Sequence, residues 1–135
     1  MPQADRTATA ALATLIVLQA VMLSALYAGV GPHPPEATPL FGIAPFIGAS
    51  ASLALAAIIV HPVTTGAGRA LSVLAALAAL VSFGPQKYVD AQFGLIWPAV
   101  ILGQIAAAVL VVQMARAVGR RGPGMTPASG PEQAG

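Results

Sequence analysis

Residues 93–115 read FGLIWPAVILGQIAAAVLVVQMA, and between Phe93 and Ala115 no side chain carries a charge. A helix that crosses a membrane needs about 20 mainly apolar residues to cover about 30 Å of hydrocarbon. A helix on a soluble domain would keep a polar face toward water, and this stretch has none. Three more stretches of the same kind precede it, at about 7–30, 40–60 and 69–84. The spacing predicts an all-α integral membrane protein, a four-transmembrane-helix bundle.

Composition points the same way. Of 135 residues, 57% are hydrophobic and 7% charged, against about 25% charged in a soluble domain. With a mean hydropathy of +0.82, the chain cannot cover itself with polar side chains, so the expected partner of its surface is the lipid bilayer. A net charge of +2 and an aromatic content of 5% argue against nucleic acid as a partner. The sequence has no cysteine, which removes disulfides, thiolate nucleophiles and Cys-ligated metals. No cofactor, metal site or enzymatic activity is expected.

The third stretch is the shortest. From Ala70 to Gly84 it spans only if Arg69 reaches toward head groups and the turn at 63–68 adds length; the alternative is a re-entrant or interfacial segment. The first stretch is longer than the about 7–15 apolar residues of a signal-peptide core, so it reads as a retained helix.

Four crossings place Arg6, Arg69, Arg116, Arg120 and Arg121 on one side, and Lys87 with Glu36 and Asp90 on the other. Arginine and lysine in short loops stay cytoplasmic. The expectation is a multi-pass protein of bacterial inner-membrane type with both termini cytoplasmic. Residues 1–6 read as a cytoplasmic lead, 7–117 as the transmembrane domain, and 118–135 as a Gly- and Pro-rich tail with nothing to bury.

The two halves resemble each other. Gly31-Pro32 is followed by Phe41-Gly42 and Pro45, and Gly84-Pro85 by Phe93-Gly94 and Pro98. Duplication of a parallel hairpin would leave this pattern, and so would convergence on Gly-Pro helix stops. Pro98 is expected to bend the fourth helix or to delay its start to about Trp97.

Few polar groups remain inside the spans. Gln19 and Gln104 lie near the midpoints of the first and fourth helices, and an amide in hydrocarbon seeks partners. They are expected to meet in a polar interhelical contact. Ser24, Ser50, Ser52, Ser72 and Ser82 can bond back to their own helices. Gly48, Ser52 and Ala56, and likewise Ala99, Gly103 and Ala107, form small-residue stripes that predict packing faces. His61 suits the negative end of the second helix. His33, Glu36, Lys87, Tyr88 and Asp90 form an outer-loop polar cluster. It reads as solvated loop charge, with a metal or catalytic site as the weaker alternative.

These features support a non-catalytic accessory or self-associating bundle, working with a membrane-protein partner or as a homo-oligomer. The alternative is a small oligomeric transporter or channel for a neutral solute, because no ionisable residue lies at depth to couple an ion.

Overall fold

A computed structural model describes residues 1–29, 40–89 and 93–122. Four helices follow in order: α1 (Gln3–Ala28), α2 (Leu40–Ile59), α3 (Gly66–Phe83) and α4 (Phe93–Gly119). A 3₁₀ helix, Pro85–Val89, follows α3, and all regular structure among the described residues is helical. Each of the four helices is long and apolar enough to cross a membrane. They pack in a ring: α1 lies against α2 and α4, α3 also lies against α2 and α4, and α1 and α3 touch lightly across the centre.

The buried seam of each helix follows a repeat of three and four residues. On α1 it runs Asp5, Ala8, Leu12, Leu15, Gln19. On α2 it runs Ile47, Ser50, Ala54, Ala57, and α3 and α4 continue the pattern from Gly68 to Phe83 and from Val100 to Met114. That spacing keeps one stripe facing its neighbours in a bundle of nearly parallel and antiparallel helices. Alanine dominates the seams, and small side chains let the backbones come close.

Local signals set the boundaries. Gly29 ends α1 in the left-handed conformation, φ +63°, and its N–H reaches back to Leu26 O at 3.3 Å. The Thr65 hydroxyl caps α3 by accepting from the Gly68 N–H at 2.9 Å. Gly84 stops α3, and Pro85 after it cannot continue the hydrogen-bond ladder. Pro45 in α2 and Pro98 in α4 hold matching positions near the helix starts.

Three boundaries differ from the sequence reading. α1 begins at Gln3, so residues 3–6 belong to the first helix and not to a separate lead. α4 starts at Phe93 as expected, which removes the alternative of a start delayed to about Trp97, but it runs past the expected end to Gly119. α3 begins at Gly66, a turn ahead of Arg69, because Thr65 supplies the cap. Even so, at about 1.5 Å per residue α3 is about 27 Å long, while α1 from Asp5 to Ala28 covers about 35 Å. The far end of α3 therefore stops below the rim, and the 3₁₀ helix fills the step.

The α2–α3 turn is tight. His61 adopts φ +65°, and Gly68 packs on its carbonyl so closely that an added Cβ would lie 2.0 Å from the His61 oxygen. Gly48, by contrast, has nothing within 4 Å of the same position. Gly68→Ala is expected to lower stability by about 1–3 kcal/mol, the scale of an overpacked core. Gly48→Ala should be neutral or mildly stabilising through its helix propensity. Thermal unfolding of both variants in one detergent checks this; a Gly68→Ala protein as stable as the wild type would contradict it.

Candidate functional site

One polar group bonded several times over is Asp5, in the first turn of α1. It is fully buried. Its Oδ1 accepts from the N–H groups of Val63 at 2.8 Å and Thr64 at 3.2 Å, and its Oδ2 accepts from the Thr64 hydroxyl at 2.9 Å. His61 Nδ1 stands 3.9 Å from Oδ2, on a side chain open to solvent. A buried carboxylate is tolerated when donors fill its lone pairs and a helix N-terminus lies beside it. Asp5 meets both conditions.

The carbonyls of the same turn are also satisfied. Thr65 Oγ1 donates to Val60 O, Ser72 Oγ to Pro62 O at 3.3 Å, and Arg69 Nη1 to Val63 O at 3.0 Å. A turn whose backbone groups are paired by side chains from α1 and α3 is held rigidly without a strand or helix of its own. Three helices converge on it.

The two glutamines do not meet. Gln19 Nε2 donates to the Ser50 hydroxyl, across the α1–α2 seam. A hydroxyl can donate as well as accept, so the pair holds with either amide orientation. Gln19 is buried and its Oε1 has no partner among the described residues. Gln104 turns the other way, toward α3. Its Nε2 donates to Phe83 O at 3.0 Å, and its Oε1 accepts from the Tyr88 hydroxyl at 2.8 Å. The physical reason is the short third helix. Its last carbonyls have no intrahelical donor, and they end at a depth where an amide from α4 can reach them. Gln86 acts alike, donating to Leu80 O at 3.2 Å and Val81 O at 2.8 Å. Similar depth placed Gln19 and Gln104 together in the sequence reading, but their helix faces point to different seams.

Of the outer-loop cluster, His33, Glu36 and Asp90 lie outside the described residues. Lys87 belongs to the 3₁₀ helix. Tyr88 stacks obliquely on Phe93, ring centres 5.1 Å apart, while it bonds Gln104. Among the described residues no group of three or more His, Cys, Asp or Glu side chains could hold a metal ion. Ser24 and Ser52 bond back to Ala20 O and Gly48 O as expected. Ser50 and Ser72 do not; each is used across a contact between elements.

Sequence reasoning missed Asp5, Ser50, Ser72 and Gln86. For Asp5 a signal existed: it stands three residues before Ala8 and falls on the stripe that continues through Leu12, Leu15 and Gln19. Comparisons with protein families, with curated proteins and with solved structures found no match.

The geometry assigns Gln19 and Gln104 to independent contacts. Gln19→Leu and Gln104→Leu are each expected to cost about 0.6–2 kcal/mol, the range for interhelical hydrogen bonds in membranes. Together they should add within about 0.5 kcal/mol, as separated sites do. Gln19→Leu and Ser50→Ala should instead be strongly non-additive. Coupling between the two glutamines, measured by unfolding of the double variant, would contradict the arrangement.

Proposed function

We propose that the protein is a multi-pass membrane bundle, both termini cytoplasmic, that acts by association and catalyses nothing. Its partner is a second copy or another membrane protein, and the outward face of α2 is the contact. The observation that carries this reading is the unequal use of the two small-residue stripes. On α4, Gly103 lies under the Phe83 ring, and an added Cβ would meet that side chain at 2.8 Å. On α2, Gly48 faces open space and Ser52 is exposed, its hydroxyl turned back onto Gly48 O. A small, self-satisfied stripe allows close helix approach without leaving a polar group bare in lipid. One such face is filled within the chain, and the other is available to a neighbour.

The use of the polar groups within the bundle supports the same reading. Asp5, Gln104 and Ser72 are bonded to turns and helix ends, and Gln19 to Ser50. A neutral-solute path would need the two glutamines to line one channel, but they serve different seams. The gathering of Arg69, Arg116, Arg120 and Arg121 at one end supports the orientation.

Because the chain has no cysteine, a single introduced thiol reports contacts cleanly. Ser52→Cys is expected to form a disulfide-linked dimer in oxidised native membranes or, when its thiol carries a photocrosslinker, to couple to one stoichiometric partner. Leu102→Cys, at an exposed position on α4, should not. Adding Gly48→Leu to Ser52→Cys should abolish the crosslink. Equal crosslinking at positions 52 and 102, or none at 52, would overturn the proposed face.

A further inference from the structure

At the end of the bundle that carries the α2–α3 turn, four arginines surround a cavity of about 210 Å³. Arg116, Arg120 and Arg121 come from the last turns of α4 and its continuation, and Arg69 from the first turn of α3; Thr64 and Gln113 complete the polar lining. No carboxylate lines the cavity, and among the described residues none pairs with these guanidiniums; the one ion-pair distance is that between His61 and Asp5. Arg69 is already fixed, since its Nη1 donates to Val63 O, which leaves its other donors oriented in advance. Arg116, Arg120 and Arg121 are exposed and Arg69 half-buried, and although Asp5 lies behind Val63 and Thr64, four like charges around one small space favour an anion there. Planar guanidinium forks match phosphate oxygens in particular.

Depth identifies the kind of phosphate. Gln113 lies about 30 Å along α4 from Phe93 at 1.5 Å per residue, roughly one hydrocarbon thickness. The arginines beyond it therefore sit at head-group level. The cavity lies where α1 (Ala4), the α2–α3 turn, α3 and α4 meet; about one turn further along α3 and α4, an apolar groove of about 50 Å³ opens between Val73 and Leu77 on one side and Leu110, Val111 and Met114 on the other. Ser72, at its edge, has its hydroxyl donated to Pro62 O and presents no free donor to the groove. A cationic cavity with an apolar groove about one turn deeper along the same two helices has the polarity of a phospholipid: phosphate at the interface, acyl chain below it. Basic pockets between transmembrane helices bind anionic head groups in this way.

We infer that the protein binds an anionic phospholipid here, its phosphodiester held by Arg69, Arg116, Arg120 and Arg121, and one acyl chain lying along the α3–α4 groove. This site rests on the membrane placement proposed above, but not on association through α2, which uses a different face.

The test uses the full chain, extracted from membranes in a neutral detergent and titrated with short-chain phosphatidylglycerol, phosphatidylcholine or inorganic phosphate. Binding is followed by native mass spectrometry and by thermal shift. Phosphatidylglycerol should bind and stabilise, with phosphatidylcholine and inorganic phosphate each much weaker. Arg116→Gln and Arg120→Gln should each weaken phosphatidylglycerol about fivefold, the scale of one basic residue at an anionic surface. Arg6→Gln removes a charge outside the cavity and should change binding by less than about twofold, as expected for a residue with no contact to the lipid. Val111→Trp, which fills the groove without altering charge, should weaken the lipid and leave the response to phosphate unchanged. Inorganic phosphate binding as well as the lipid, with no effect of Val111→Trp, would overturn the lipid assignment in favour of a free anion. Equal binding of the two lipids, or an equal loss with Arg6→Gln, would overturn the site. Recovery of the chain in the soluble fraction of cells would instead overturn the membrane placement itself.

Discussion

The fold depends on one buried carboxylate. Asp5 accepts three hydrogen bonds from Val63 and Thr64, and so joins the first turn of α1 to a turn that lies about sixty residues later in the chain. Without those acceptors, the Val63 N–H would be buried and unpaired, at a cost of about 1–3 kcal/mol. With them, the turn becomes a rigid platform. Thr65 caps α3 from it, Ser72 and Arg69 bond its carbonyls, and Gly68 packs directly on His61. In a bundle held mostly by alanine contacts, which specify position weakly, such a polar junction fixes the register of three helices.

The far end faces a different problem. α3 is too short to reach the level of its neighbours, so its terminal carbonyls end below the rim. Two glutamines resolve it, Gln86 from the step that follows and Gln104 from α4. The Tyr88 hydroxyl then takes up the remaining acceptor of Gln104. Polar side chains that read as isolated in the sequence thus serve as caps for backbone groups, which is where an amide in an apolar medium gains most.

Much of the architecture was legible in the sequence because long uncharged stretches, apolar enough to cross a membrane, form helices. The starts of α2 and α4, at Leu40 and Phe93, and the stop at Gly84 follow from hydropathy and Gly-Pro punctuation alone. What escaped was orientation around each helix axis. Hydropathy has no direction when every face is apolar, so Gln19 and Gln104 were matched by depth, although Gln19 faces Ser50 and Gln104 faces Phe83. Asp5 escaped for a related reason. A charge just outside an apolar run looks like part of a polar lead, and only its place in the three-and-four stripe marks it as buried. The Arg69 and Arg116 cavity escaped because its parts come from separate helices, joined only once the α2–α3 turn is set.

Amide hydrogen exchange at Val63 and Thr64, in the wild type and in Asp5→Ala, measures the junction most directly. Both N–H groups should be protected in the wild type, although they belong to no helix. In Asp5→Ala their exchange should accelerate by about tenfold or more, the equivalent of losing a buried acceptor, while amides in the middle of α1 and α4 keep their protection. Exchange at Val63 and Thr64 that is equally slow with and without the carboxylate would contradict the role assigned to Asp5.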